Sequence, residues 1–382
     1  MVCPYSLSRP GGVQGQALGL AVALRRRGHV VWVLAPASGG HPTGHAEGAP
    51  DTAADPADSG GTIVVGRSVA LPANGSIAPV ALWPGAARRA RQKAVDAKVD
   101  VVHLHEPFAP VLGYGFLLRP VVPIVATFHR SGLHVGYRVI APLARRLGPR
   151  IAVRCAVSEA ALATAGQVVG GPFELLFNGV DLAESEPAES GTPDHAPAPS
   201  GSVSLLFLGR HEPRKGLLVL LEAFQRVSEE ANAVLWIAGN GPMTGELRRR
   251  FPPSQRHVWL GVLSEEEKVR RLRAADVLCA PALGGESFGM VLVEGMAART
   301  TVLASDISGY REAAGGHAEL VEPGDVASWA RALVRLAGEV RSGTGRASPE
   351  ALDLAEAHAS DWSMDRLAGC YEERYERALG AR

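Results

Sequence analysis

Short apolar runs of strand length alternate with helix-length segments along almost the whole chain, and few folds accommodate that order. In the first half the runs are Val30–Ala35, Thr62–Val65, Val101–Leu104, Ile124–Phe128 and Ile151–Val157. In the second half they are Ser204–Leu208, Ala233–Ala238, Val258–Leu260, Val277–Ala280 and Thr301–Ala304. Segments with helical spacing lie between them, such as Gly15–Arg27, Leu217–Glu229, Glu265–Ala274 and Val326–Leu336. This alternation is the signature of parallel sheets covered by helices. Two stretches interrupt it. Residues 39–61 are rich in Pro, Gly, Ala and Asp and read as a loop, and residues 184–202 fall near the midpoint and read as an interdomain linker. A chain of 382 residues is too long for one compact core. The pattern therefore predicts two α/β domains, 1–183 and 203–361, followed by a helical segment at about 362–382.

Composition removes several functional classes. Acidic and basic residues balance at 39 each, so no overall field favours nucleic acid. Cys3, Cys155, Cys279 and Cys370 are scattered without a paired spacing, which argues against a zinc site or disulfide framework and fits a reducing, cytoplasmic setting. No apolar run reaches the ~18 residues of a membrane span, so contact with a membrane is peripheral. One irregularity stands at the start. Only Met1-Val2-Cys3 precede Pro4, too few for a central strand of ordinary length. Either the natural start lies a few residues upstream or the first strand is stunted. Intact mass of the native protein decides it, and a mass that begins at Met1 excludes the upstream start.

The chemistry concentrates in Gly284-Gly285-Glu286-Ser287-Phe288-Gly289-Met290-Val291-Leu292-Val293-Glu294. A small-residue turn runs into an apolar, helix-ready segment, and a helix beginning near Phe288 presents unpaired N–H groups and its positive dipole end to whatever faces the turn. That suits a diphosphate. Carboxylates beside phosphate repel it, so Glu286 and Glu294 call for hydroxyl partners; a nucleotide sugar supplies both kinds of group. Upstream, Leu205-Leu206-Phe207-Leu208-Gly209-Arg210 reads as a strand ending in Gly-Arg. The turn His211-Glu212-Pro213-Arg214-Lys215-Gly216 follows, and then a helix from about Leu217. Arg210 and Lys215 are thus placed at the carboxyl end of a strand before a helix, a position suited to an anion. The alternative is that they are solubilising surface cations. Lys215 is one of only four lysines in a chain that otherwise uses Arg, which singles it out.

In the first half, Pro10-Gly11-Gly12-Val13-Gln14 lies between the first strand and first helix, where glycines let backbone approach a ligand. It does not match the dinucleotide glycine fingerprint, so a nicotinamide-dependent dehydrogenase is disfavoured. His129 ends the strand Ala126-Thr127-Phe128, and His103, His105 and Glu106 lie at the end of another. These are ligand-side or structural positions. Leu82-Trp83-Pro84, then Arg88, Arg89, Arg91, Lys93 and Lys98, read as a helix opened by proline with a basic surface. It is either a solvated face or a docking surface for anionic lipid.

Gly-Gly-Val-Gln at 11–14, Thr-Phe-His at 127–129, Asn-Gly-Val-Asp at 178–181, Gly-Arg-x4-Lys-Gly at 209–216 and Gly-Gly-Glu-Ser-Phe-Gly-x4-Glu at 284–294 occur in one order over nearly the full length. The set resembles the retaining glycosyltransferases of family 4. Within it the likeness is strongest to the actinobacterial enzymes that move mannose from GDP-mannose to phosphatidylinositol. Cys3-Pro4-Tyr5-Ser6, Asn74-Gly75-Ser76, His105-Glu106-Pro107 and Asp361-Trp362-Ser363 share that likeness. The resemblance implies the α/β GT-B fold: two Rossmann-like, doubly wound parallel-sheet domains facing a cleft, with the last helix crossing back to the first domain.

It also implies roles. Arg210 and Lys215 bind the donor diphosphate, Glu286 the sugar hydroxyls, Ser287, Phe288 and Gly289 the phosphate through backbone N–H groups, and Glu294 the ribose. Val262 and Lys268 lie near the base, Gly12 lines the diphosphate, and His129 contacts the donor sugar at the reaction centre. His129, Arg210, Lys215 and Glu286 are the expected catalytic group. Tyr5, Gln14, Asn74 and Ser76 are expected at the acceptor, and Trp83, Arg88, Arg89, Arg91 and Lys93 at an anionic membrane surface on the inner face of the plasma membrane. No D-x-D motif stands in a suitable loop, so no protein-bound metal and no tightly bound cofactor are expected, the nucleotide sugar being a co-substrate.

Departures from the family pattern fall on the acceptor side, at Pro79, Phe108, Arg130 and His134. Gln16 stands where a histidine is common and Arg299 where a glycine is usual. They leave open a different hexose, such as glucose from a UDP donor, and a different lipid or soluble acceptor. A sugar-nucleotide-binding protein without catalysis is the remaining alternative, separated by tight donor binding without transfer or hydrolysis.

Overall fold

A computed structural model of the chain describes residues 1–7, 11–37, 60–73, 76–130, 132, 135–181, 201–228, 232–286 and 288–380. The expected loop 39–61 and the linker 184–202 fall almost entirely outside the described residues. The chain divides into two compact units, Met1–Asp181 with Ser363–Arg382, and Leu182–Trp362.

The first unit is built on two ribbons. β1 (Val33–Ala37) pairs in parallel with β2 (Thr62–Ala73), which pairs antiparallel with β3 (Ser76–Ala81). β4 (Val102–His105), β5 (Ile124–Phe128), β6 (Val153–Ala156) and β7 (Glu174–Leu175) are all parallel. Val2 joins the ribbons by bridging both Leu34 and Leu104. The opening strand of the sheet is thus reduced to a single bridging residue. The β2–β3 hairpin departs from the all-parallel expectation. Pro72 and Pro79 obscure it in the sequence, yet an edge hairpin tolerates proline because one side of each strand needs no ladder bond.

Helices cover both faces. The helix Gly12–Arg26 packs against the last helix, Met364–Gly380, with Leu20, Leu24, Leu367 and Tyr371 in one apolar cluster. At the rim, Arg27 donates to both Asp365 and Glu372. The opposite face buries Ala86, Ala90 and Ala94 of the helix Pro84–Asp96, together with Phe108, Phe116 and Phe128.

The second unit is one six-stranded sheet in the order β10-β9-β8-β11-β12-β13. The strands are β8 (Val203–Leu208), β9 (Ala233–Ala238), β10 (His257–Gly261), β11 (Val277–Ala280), β12 (Thr301–Ser305) and β13 (Glu319–Val321). Its four inner strands, β8, β9, β11 and β12, are buried on both faces and read as continuous apolar runs, as parallel strands do. Helix ends carry their own signals. Ser264 accepts from the Glu267 N–H and opens Glu265–Ala274 with three glutamates in the first turn and Arg271 and Arg273 in the last, each sign where the helix dipole favours it. Asp325 accepts from the N–H groups of Ala327 and Ser328 at the start of Val326–Ser342, whose Trp329, Leu333 and Leu336 pack with Phe207 and Phe224. Each such side chain contributes about 1.5–3 kcal/mol by leaving water.

The family departure at Arg299 has a local explanation. Its φ of 59° lies in the left-handed region, where glycine is at ease, and its guanidinium pairs with Asp353 and with Glu356 at 2.8 Å. The pairs are exposed, so they return only part of the backbone cost.

Candidate functional site

The strand order of the second unit fixes where a ligand can sit. From β8 the chain winds outward through β9 and β10, then returns to lay β11 on the other side of β8 and winds outward again through β12 and β13. The loops after β8 and β11 therefore leave the carboxyl end of the sheet side by side at the switch point, where ligands bind in open α/β sheets. These two loops carry both constellations singled out in the sequence. Leu283 N–H donates to the Arg214 carbonyl (2.8 Å) and ties one loop to the other.

The loop after β8 makes a 3-10 turn at Pro213–Lys215 and then Gly216, with φ 69°, starts the helix Leu217–Gln225. Gly216 has no room for a side chain, because an added Cβ would lie 1.8 Å from the Pro281 carbonyl oxygen. Gly216→Ala is expected to cost more than the ~1–3 kcal/mol of a left-handed non-glycine residue, since backbone rather than a yielding side chain blocks it. Urea unfolding of the variant measures this.

The side chains of the two loops form one ion cluster. Lys215 Nζ lies 2.9 Å from Glu286 Oε1, and Arg214 Nη1 donates to the same oxygen at 2.5 Å. Arg214 Nε donates to Glu212 Oε2 at 3.2 Å, and Arg210 Nη2 pairs with Glu212 Oε1 at 3.0 Å. The Glu212 side chain is only 1% exposed, so a buried carboxylate anchors two arginines at the sheet edge. Arg210 and Lys215 were legible in the sequence as cations beside a ligand; Arg214 and Glu212 were not, because nothing in one loop's sequence shows which side chains meet the neighbouring loop. The only available signal was that Arg214 adjoins Lys215 in the same turn.

The helix expected to start near Phe288 begins at Met290 and runs to Ala297. Phe288 is buried and packs on Trp362 with ring centroids 4.9 Å apart, and Gly289 caps the helix at φ 91°. The backbone before it is gripped from below. A Cβ on Gly309 would stand 2.4 Å from the Glu286 carbonyl oxygen, so Gly309 permits close approach of the helix Ser308–Ala314. Ser287 lies outside the described residues. Within the helix, Glu294 takes Lys268 Nζ at 3.2 Å, and Lys268 also reaches the exposed Glu265 at 2.5 Å. Burial pushes the Glu294 carboxyl up against the opposing pull of Lys268. Burial also works against the Lys268 charge, but Glu294 and Glu265 outweigh it and hold the ammonium above the usual lysine range. Val262, just past β10, is 67% exposed.

In the first unit β4 and β5 lie side by side with His105 opposite Thr127, which brings three histidines together. His103 stacks on His105 at 4.4 Å and His105 on His129 at 5.3 Å between centroids. His105 Nδ1 and His129 Nε2 share a hydrogen bond of 3.0 Å, and His103 bonds Thr127 Oγ1 and Tyr375 OH. Burial, against an opposing influence of Asn178, lowers His129 to about 4, and burial also lowers His103 and His105 well below the usual range, so all three are neutral at pH 7. Glu106 accepts from the His129 N–H (2.6 Å) and from Tyr137 OH (2.7 Å), and adopts the left-handed φ of 48° to do so. Strain of that kind in a non-glycine residue concentrates at functional positions. Tyr5 feels the same carboxylate: burial first, and Glu106 second, push its phenol up.

Gly12 is exposed at the first turn of its helix, with open space where a Cβ would stand. Gln14 is buried and donates to the Ser6 carbonyl. Gln16 clamps Gly179 in both directions, donating to its carbonyl (2.7 Å) and accepting from its N–H (2.8 Å). That departure is therefore a support for the Asn178-Gly179 turn. Phe108, another departure, is buried among Tyr114 and Phe128. Arg130 covers the Tyr137 ring at 5.2 Å. Asn74 and His134 lie outside the described residues, and of Ser76 and Pro79 only the backbone is described. Trp83 is 66% exposed beside the exposed Leu82, with Arg88 and Lys93 exposed on the following helix. Arg89 and Arg91 use their Nε atoms on the carbonyls of Val65 and Arg119.

Comparison with known proteins gives a consistent picture. Residues 10–184 match the family described as Glycosyltransferase Family 4, and residues 202–339 that described as Glycosyl transferases group 1. The chain is 38% identical to a phosphatidyl-myo-inositol mannosyltransferase of Mycobacterium leprae over 95% of this chain and 93% of that protein. Among solved structures it is similar to a glycosyltransferase of Rickettsia africae (TM-score 0.71, 18% identity, 99% of this chain and 97% of that one). It is also similar to HepE of Anabaena in complex with UDP and glucose (TM-score 0.69, 18% identity, 98% of each).

Proposed function

The chain belongs to glycosyltransferase family 4 and has the GT-B fold; from that premise we propose that it transfers mannose from GDP-mannose, with retention at the anomeric carbon, to a phosphatidylinositol-like lipid. The observation that carries the choice of substrates is its identity with the mannosyltransferase of M. leprae, which extends over 95% of the chain. The site supplies the chemistry. Breaking the sugar–phosphate bond leaves negative charge on the departing diphosphate, and groups already aimed at that charge lower the barrier most. Lys215 and Arg210 supply cations, and the backbone from Ser287 to Gly289, at the start of the helix Met290–Ala297, supplies N–H groups. Glu286 holds hydroxyls of the donor sugar and Glu294 those of the ribose, with Val262 and Lys268 beside the base. In the first unit Gly12 approaches the diphosphate, His129 contacts the donor sugar, and Tyr5, Gln14, Asn74 and Ser76 take the acceptor. His129 is held neutral by burial, so it acts as a hydrogen-bonding group and brings no positive charge of its own. No carboxylate is assigned as a nucleophile, which favours attack from the face the diphosphate leaves.

A panel of GDP- and UDP-sugars with phosphatidylinositol and soluble acceptors, analysed by product mass spectrometry, tests the proposal. Release of GDP with one hexose added to phosphatidylinositol is expected. Release of UDP with a sugar on a soluble acceptor would replace it with the second reading.

A lipid acceptor requires the protein to reach a bilayer, and among the described residues no helix is long and apolar enough to cross one. Trp83, with Arg88, Arg89, Arg91 and Lys93, is proposed as the peripheral contact on the inner face of the plasma membrane. Flotation with vesicles containing anionic lipid is expected, with loss of most binding in Trp83→Ala/Arg88→Glu/Lys93→Glu. Equal flotation with neutral vesicles would remove this contact.

A further inference from the structure

Lys215 is assigned to a diphosphate, yet it already has an anion. Glu286 Oε1 stands 2.9 Å from its Nζ and takes Arg214 Nη1 at 2.5 Å on the same atom. A diphosphate reaching Lys215 therefore competes with a carboxylate carried by the protein. The cluster is built to survive that exchange. Arg214 is forked, with Nε on the buried Glu212 and Nη1 on Glu286, so Glu286 can leave Lys215 and keep one cation. Glu212 stays anchored between Arg210 and Arg214. Three cations and two carboxylates leave the cluster one positive charge in excess; with Glu286 neutralised the excess is two.

We propose that Glu286 is an internal counter-anion of the diphosphate site. It yields Lys215 to the incoming diphosphate, is held on Arg214 where its other oxygen serves the sugar hydroxyls, and reclaims Lys215 as the nucleoside diphosphate leaves. Arg214 is the positioning residue of this exchange. The consequence is weak binding of the spent nucleotide, which has no sugar to occupy Glu286 in return. The inference rests on the reading of Lys215 as a diphosphate ligand given above.

Titration calorimetry of GDP and UDP tests it on the full-length protein, Glu286→Gln and, as a control, Glu294→Gln, at one pH and ionic strength. Glu286→Gln is expected to bind the nucleoside diphosphate about tenfold more tightly, equivalent to ~1.4 kcal/mol. GDP-mannose should gain less, because the sugar loses its carboxylate. Glu294→Gln, which neutralises a carboxylate paired with Lys268 instead, should show no tightening. Should the Gln variant fail to fold, Glu286→Ala is expected to move affinity in the same direction. Nucleoside diphosphate affinity unchanged within about twofold, or weakened, on loss of the Glu286 charge overturns the exchange while leaving the donor site standing. No binding of either nucleotide by the unaltered protein overturns the donor site and the exchange together.

Discussion

Lys215→Ala is expected to lower turnover by about 10²–10³-fold, the effect of removing one preorganised donor to a developing anion. The size follows from position. The ammonium is delivered by a 3-10 turn at the carboxyl end of β8, beside the loop that follows β11, and it is mostly shielded, with 20% of the side chain exposed. A charge held there reorganises little as the bond breaks. Lys215→Arg should rescue only part of the loss, because a planar guanidinium cannot place its charge where the ammonium point lies. The fold should hold, since Glu286 keeps Arg214 as a partner when the ammonium is removed. Steady-state kcat with saturating donor, together with a melting curve, checks both statements. Turnover near that of the unaltered protein would remove Lys215 from the reaction.

The second large effect is on stability and comes from acid. His103, His105 and His129 are buried and neutral, with His129 lowered from 6.5 to about 4 and the other two lowered well below 6.5. In the unfolded chain each takes a proton below pH 6.5, while in the folded chain His129 takes none until the pH approaches 4, and burial likewise keeps His103 and His105 unprotonated well below pH 6.5. The unfolded state therefore binds more protons through this window, and stability is full above pH 6.5 and falls as pH drops toward 4. Three such groups give a slope of at most about 4 kcal/mol per pH unit, at ~1.4 kcal/mol each. His211 and His257, lowered mainly by burial in the second unit, act in the same direction. Urea unfolding at pH 7.5, 6.0 and 5.0 is expected to show a steep loss of stability, carried first by the first unit. A flat profile over that range would mean that the histidine stack is not held neutral.

Much of the scaffold was legible because its strands are buried on both faces. Ile124–Phe128, Ala233–Ala238 and Val277–Ala280 appear in the structure with the bounds read from their apolar runs, and the helix Glu265–Ala274 with those read from its helical spacing. The β2–β3 hairpin escaped because each of its strands carries a proline, Pro72 in the first and Pro79 in the second, and proline within an apolar run argues against a strand. The start of the late helix was misplaced by two residues. Phe288 looks like the first apolar residue of its face, but it belongs to the packing under Trp362, and Gly289 is the cap.

The site was legible in its individual residues and not in its connections. Glu286 and Lys215 could each be picked out by type and by the elements around them. That Lys215 and Arg214 share one oxygen of Glu286, and that Glu212 anchors the group from below, depends on β8 and β11 pairing residues 72 positions apart in sequence, which no local pattern encodes. The same holds for the histidine stack. His103 and His105 alternate along β4, and only the register with β5 sets His129 and Thr127 against them.

The most direct measurement is a crystal structure of the protein with GDP. Pyrophosphate oxygens are expected within hydrogen-bonding distance of Lys215 Nζ and of the backbone N–H groups at Phe288 and Gly289, with Glu286 parted from Lys215 and still on Arg214. A pyrophosphate bound elsewhere, with the Lys215–Glu286 pair intact, would contradict this placement.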